Sequence, residues 1–109
     1  MTAPVPRHPQ LAAGRWQQLS LSEQLANVGS EVGRMRRRGP AERTAAFERA
    51  LELLDLTLAD PRWHGRLKEI ARAREVLCDA AEGGREYGAT LEELDRYFLD
   101  FAMAARRGR

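Results

Sequence analysis

A repeated spacing of apolar residues constrains this chain more than any other feature. Leu21, Leu25, Val28, Val32 and Met35 lie 4, 3, 4 and 3 residues apart, which places them on one face of a helix. Phe47, Leu51, Leu54 and Leu58 continue the pattern, widened by Ala50, Leu53 and Leu56. A third stripe runs through Trp63, Leu67, Ile70, Arg74, Leu77 and Ala81, and Arg74 interrupts it with a charge. Leu91, Leu94, Phe98, Phe101 and Ala105 form a fourth. The second stripe is the widest, so its helix is expected to be the most buried.

Punctuation separates the stripes. Ser20-Leu-Ser-Glu23 has the spacing of a capping box ahead of the first helix, and Gly39-Pro40 stops it. The second helix starts near Pro40 or Ala41 and ends at Asp60-Pro61. That pair also suits the start of the third, with Asp60 as N-cap and Pro61 in the first helical position. Gly83-Gly84 closes the third helix and a loop runs on through Gly88. Thr90-Leu-Glu-Glu93 is a second capping box, and the fourth helix frays into Arg106-Arg107-Gly108-Arg109. Ahead of all this, 1–14 holds Pro4, Pro6 and Pro9 with little apolar content and reads as a flexible tail. The expected fold is all-α: a flexible N-terminal tail over 1–14, then an antiparallel up-down-up-down four-helix bundle over 15–109.

Composition supports helices. The 109 residues suit a single domain with a modest core, and 43% of them are apolar. Aromatics make up only 6%, and Val, Ile and Thr are sparse beside the good helix formers Ala, Leu, Arg and Glu. Charge is mildly basic, +2, but carried by seventeen Arg and the single Lys68. Arginine suits bidentate phosphate or carboxylate contacts, although a genome-composition bias also turns surface Lys into Arg.

Several chemistries find no footing. Cys78 stands alone, so neither a disulfide nor a cysteine zinc site forms within one chain. The only histidines are His8, in the tail, and His64, and neither follows a Glu by three residues as a di-iron bundle requires. Haem, phosphate-loop, dinucleotide and G-x-S-x-G patterns are missing too. Cys78 reads more simply as a small buried hydrophobe than as a reactive thiol. The expectation is a non-enzymatic protein with no metal and no cofactor. No apolar run approaches a membrane span and no signal-peptide stretch is seen, so it is expected to be cytoplasmic.

An up-down topology sorts the charges by pole. One pole carries Arg34, Arg36, Arg37, Arg38 and Arg43 with Asp79, Glu82, Glu86, Glu92 and Glu93, which can neutralise one another. The other gathers Arg15, Arg62, Arg66, Lys68, Arg106, Arg107 and Arg109 around Trp16, Trp63 and His64, with less acidic company. Three readings of that pole stand side by side. In one, Arg15, Arg62, Trp63, His64, Arg66, Lys68, Arg106 and Arg107 contact RNA or DNA, the cations on phosphates and tryptophan on bases. In another, the tryptophans close the core and the arginines solvate its rim. In the third, the pole meets a protein partner with an acidic surface. Elsewhere, Gly29 and Gly33 form a G-x-x-x-G strip that marks close helix packing, either within the chain or at an interface. Arg74 on its apolar seam implies either a paired carboxylate or a subunit interface.

In size, helix number, basic balance and lack of catalytic motifs, the chain resembles small bacterial four-helix-bundle proteins encoded in ribosomal-RNA intervening sequences. The accessory variability proteins of diversity-generating retroelements belong with these. Arg66-Leu-Lys-Glu-Ile-Ala-Arg-Ala-Arg74 and Leu94-Asp-Arg-Tyr-Phe-Leu-Asp-Phe101 look like the third and fourth helices of such bundles. The likeness is one of architecture, covers about Ser20 to Arg107 and carries over no site residue. It implies a homo-oligomer whose basic surface binds nucleic acid and a reverse transcriptase. Two functions therefore head the expectations: a binding module with a basic nucleic-acid-contacting pole, or an adaptor that self-assembles or docks a protein partner through a helix face.

Overall fold

A computed structural model describes residues 14–108. The tail expected over 1–14 lies outside the described residues apart from Gly14, as does Arg109. Among the described residues every regular element is helical: α1 (Leu21–Arg37), α2 (Pro40–Leu58), α3 (Leu67–Ala81) and α4 (Leu91–Arg107), with 3₁₀ segments at Trp16–Gln18 and Pro61–Arg66.

Both capping boxes form. The Ser20 hydroxyl accepts the Glu23 N–H at 3.1 Å while the Glu23 carboxylate accepts the Ser20 N–H at 3.0 Å. Thr90 and Glu93 do the same at the start of α4, at 3.1 and 3.2 Å. Each box satisfies two N–H groups that the first helical turn leaves over. Pro40 opens α2 at the first helical position, where its missing N–H leaves no bond unmade. Past α3 the chain turns through Gly84 at φ 74, where a Cβ would also sit 3.0 Å from the Ala89 carbonyl oxygen.

α1 is the most buried helix, not α2. Leu21, Leu25, Val28, Val32 and Met35 all lie in the core, because α1 packs along both α2 and α4. Burying each of these side chains is worth about 1.5–3 kcal/mol. The expected stripe of α2 is buried in part: Ala50, Leu53 and Leu54 lie in the core with Ala46 and Thr57, but Phe47, Leu51, Leu56 and Leu58 are only partly buried. Thr57 is tolerated because its hydroxyl donates to the Leu53 carbonyl at 2.9 Å.

Trp63 does not belong to the α3 stripe. It sits inside the 3₁₀ segment at a kink (φ −100°, ψ 23°), and regular helix begins only at Leu67. Asp60 caps that segment by accepting the Arg62 N–H at 3.0 Å, as its spacing predicted.

Partner residues map how the helices sit together. Between α1 and α2, the Arg43 Nε donates to the Met35 carbonyl and Arg49 pairs with Glu31. Between α1 and α4, Arg36 pairs with Asp95 and Gly29 meets Phe98. Arg74 of α3 pairs with Asp55 of α2. The seam between α3 and α4 is looser, and there Ala73, Val76, Leu94 and Tyr97 line an apolar groove of about 310 Å³.

Candidate interaction surfaces

The end of the molecule expected to be basic is organised around one buried carboxylate. Asp60 is 2% exposed and accepts five hydrogen bonds through its two oxygens. The Arg62 guanidinium approaches Oδ2 at 2.7 Å and Oδ1 at 3.1 Å, and the Arg62 N–H adds a backbone bond. Gln24 Nε2 donates to Oδ2 at 3.0 Å. The Arg62 side chain beside it outweighs the penalty of burial and lowers the Asp60 pKa to about 2. In return, the carboxylate raises the Arg62 pKa.

Gln24 links this pair to both tryptophans. Its Nε2 also donates to the Trp16 carbonyl at 2.8 Å, and its Oε1 accepts the Trp63 indole N–H at 2.8 Å. Arg62 reaches on to the Leu19 carbonyl at 2.6 Å and lies over the Trp63 ring, 4.4 Å from its centroid. Trp16 is fully buried, with an indole Nε1 that has no hydrogen-bond partner. So Trp16 closes the core, and Trp63 and Arg62 are held by internal bonds. Gln24 is the residue that sequence reasoning missed: a polar side chain at an apolar-stripe edge of α1 gives no sign of what it will face.

The other residues expected at this pole have their own surroundings. Arg66 pairs with Glu69 one turn on at 2.8 Å. Arg15, His64 and Lys68 are exposed. Arg106 and Arg107 are exposed in the last turn of α4, where their charges suit the helix dipole. Arg109 falls outside the described residues.

At the opposite pole most arginines have carboxylate or carbonyl partners. Glu31 is 3% exposed and is clasped by Arg34 and by Arg49, the latter at 2.7 Å. Arg36 pairs with Asp95 at 3.1 Å and Arg38 with Glu42 at 3.8 Å. Asp79 turns inward along the chain instead, accepting the N–H groups of Glu86 and Tyr87 at 3.0 and 2.9 Å, and these bonds lower its pKa.

The remaining interface residues have distinct surroundings. Gly29 is packed within the chain: a Cβ there would lie 2.6 Å from the Phe98 Cβ. Beside Gly33 stands the Arg37 guanidinium, 2.9 Å from where a Cβ would be. Arg74 donates to Asp55 at 2.8 Å and lies 3.9 Å from the Cys78 sulfur, at the partly exposed edge of the α2/α3 contact.

A different surface stands out. Leu99 and Met103, four residues apart on α4, are 52% and 46% exposed. Beside Leu99 a shallow groove of about 230 Å³ runs between α1 and α4, walled by the small residues Ala26, Gly29, Ser30, Gly33 and Ala102. Arg37, Asp95 and Arg106 stand around it. The sequence carried a signal for this face, since Leu99 and Met103 fall off the Leu94–Phe98–Phe101 stripe, but only the packing shows which side of α4 stays uncovered.

Among the described residues, no three His, Cys, Asp or Glu side chains gather closely enough to hold a metal ion. No helix among them is long and apolar enough to cross a membrane. No protein-family model, curated protein or solved structure matches this chain.

Proposed function

We propose that this chain is a non-enzymatic helical binding module that docks a protein partner on its α1/α4 face. In this reading the four helices form an antiparallel up-down-up-down bundle. The order of contacts supports that: Met35, Glu31 and Gln24 of α1 meet Arg43, Arg49 and Asp60 in turn, and Arg36 and Gly29 meet Asp95 and Phe98. The observation that carries the function is the half-exposed pair Leu99 and Met103, the first of which lines a groove of small residues. Adjacent exposed apolar side chains beside a concave, small-residue surface suit contact with another helix better than contact with water.

A second reading keeps nucleic acid as the partner. It is favoured by Lys68, Arg106 and Arg107, which are exposed and carry no ion pair among the described residues. The resemblance to intervening-sequence and retroelement accessory bundles points the same way. Against it, Arg62 and Arg66 already have carboxylates, so fewer cations remain to release counterions from phosphates.

One comparison separates the two. Partners that co-purify with the full chain are compared between wild type, Leu99→Asp/Met103→Asp and Lys68→Ala/Arg107→Ala, alongside binding of labelled RNA and DNA at two salt concentrations. The docking reading expects a protein partner that is lost with the first variant and kept by the second. Salt-sensitive RNA or DNA binding lost only with the second variant would overturn it.

A further inference from the structure

The proposed docking face has a charge pattern that selects its occupant. Glu92, Arg96, Leu99, Met103 and Arg106 follow one another at intervals of 4, 3, 4 and 3 along α4, and all five are exposed. The stripe opens on acidic Glu92, passes a cation at Arg96, is apolar at Leu99 and Met103, and ends on basic Arg106. We propose that the occupant is a second copy of this chain, with α4 packed antiparallel on α4 about a twofold axis through Leu99.

Charge decides the orientation. Set parallel, the two stripes would oppose Glu92 to Glu92 and Arg106 to Arg106. Reversed about Leu99, Glu92 of each copy faces Arg106 of the other, and the two helix dipoles oppose. Two symmetry-related ion pairs then flank a Leu99–Leu99 contact, which is the self-complementary pattern a twofold interface requires.

Charge also decides the register. A slide that set Leu99 against Met103 of the second copy would bring Arg96 against Arg106, two cations face to face. The register centred on Leu99 avoids this and brings Met103 of the second copy level with Asp95, at the wall of the small-residue groove. Ala102, and the α1 edge of Ala26, Ser30 and Gly33, let the second helix come close. One helix pair with its flanking edge buries less than the ~800 Å² per partner of a standard interface, so association is concentration-dependent, in the micromolar-to-millimolar range.

This inference rests on reading the α1/α4 face as a docking surface, and sedimentation velocity on the full chain tests it. Wild type is expected to pass from monomer to dimer as concentration rises. Glu92→Arg or Arg106→Glu alone raises the dimer dissociation constant about tenfold or more, and Leu99→Glu abolishes the dimer. Combining Glu92→Arg with Arg106→Glu restores it, since both ion pairs re-form with reversed sign. Circular dichroism of each variant confirms that the helices are intact.

A chain that stays monomeric to millimolar concentration overturns the proposal. So does a trimer or larger ring, a dimer indifferent to Leu99→Glu, or a double reversal that fails to recover. If the chain is monomeric yet a different protein partner is lost with Leu99→Asp/Met103→Asp, this inference fails and the docking reading stands. If that partner binding is also indifferent to the substitution, both fall.

Discussion

Gly29 of α1 and Phe98 of α4 pack so closely that a Cβ on the glycine would lie 2.6 Å from the Phe98 Cβ and 3.6 Å from the Phe98 carbonyl carbon. The obstacle is the root of a fully buried side chain and the backbone behind it, so neither can swing away. Gly33, one turn on, meets only the far end of Arg37, which can. The two glycines of one G-x-x-x-G strip therefore hold different positions in the fold.

Their alanine variants should separate accordingly. Alanine favours a helix interior by about 1 kcal/mol over glycine. Gly29→Ala nevertheless should destabilise by about 1–3 kcal/mol, because α1 and α4 must move apart. Gly33→Ala should be neutral or stabilising by up to about 1 kcal/mol once Arg37 shifts. Urea denaturation of both variants checks this, and equal losses at the two sites would contradict the packing.

Asp60 predicts a specific acid sensitivity. Its folded pKa of about 2 lies below the ordinary aspartate value of 3.8, so the protonated form is disfavoured by folding. The stabilisation is complete above about pH 5, is lost progressively as pH falls below 4, and is gone once pH passes through about 2. At about 1.4 kcal/mol per pKa unit it amounts to about 2 kcal/mol, less some screening through the partly exposed Arg62. In Asp60→Asn the fall in stability between pH 5 and pH 2, followed by urea denaturation, should be shallower than in wild type by about this amount. Identical slopes would mean that folding leaves the Asp60 pKa unchanged.

Trp63 and Gln24 should behave as a coupled pair, unlike Trp16 and Gln24. Trp63→Phe removes the donor to a buried Gln24 oxygen and is expected to cost about 1–3 kcal/mol. In a Gln24→Leu background most of that polar loss disappears, giving a coupling of about 1 kcal/mol. The Trp16 indole N–H has no partner to lose, and Gln24 reaches only the Trp16 backbone. Trp16→Phe should therefore cost through packing alone, and additively with Gln24→Leu.

Arg74 should matter little to stability. Its pair with Asp55 is partly exposed on both sides, 35% and 58%, and such pairs are worth about 0.2–1 kcal/mol. Arg74→Ala should lower stability by no more than this and leave sedimentation unchanged. A loss of dimer in that variant would move the interface from α4 to α3.

Much of the fold was legible before any coordinates. Ser20, Glu23, Thr90 and Glu93 announced two helix starts because capping is local: the partners lie three residues apart in sequence. The α1 stripe was equally readable, since a helix buried on one face must repeat at its own period. The α2 stripe was readable in part: Ala50, Leu53 and Leu54 are buried, but Phe47, Leu51 and Leu58, which look more apolar than Ala46 and Thr57, are less buried than these. Trp63 fitted the α3 spacing by number alone, yet Pro61 and the kink put it out of helical phase.

The candidate surfaces divide the same way. Sequence by itself determined the four helices, the capped starts of α1 and α4, the capping role of Asp60 and the arginine-rich charge, because propensity, capping and periodicity act over a few residues. Only the tertiary structure decided what those charges do. Arg62 lies two residues from Asp60, but its contacts with Leu19 and Trp63, and the reach of Gln24 to Asp60 across 36 positions, depend on how α1 meets the 3₁₀ segment. The same packing left Leu99 and Met103 facing outward while covering Phe98 completely. Which apolar residues remain in water is a property of how the helices fit against one another, and that fit is set by contacts between residues far apart in the chain.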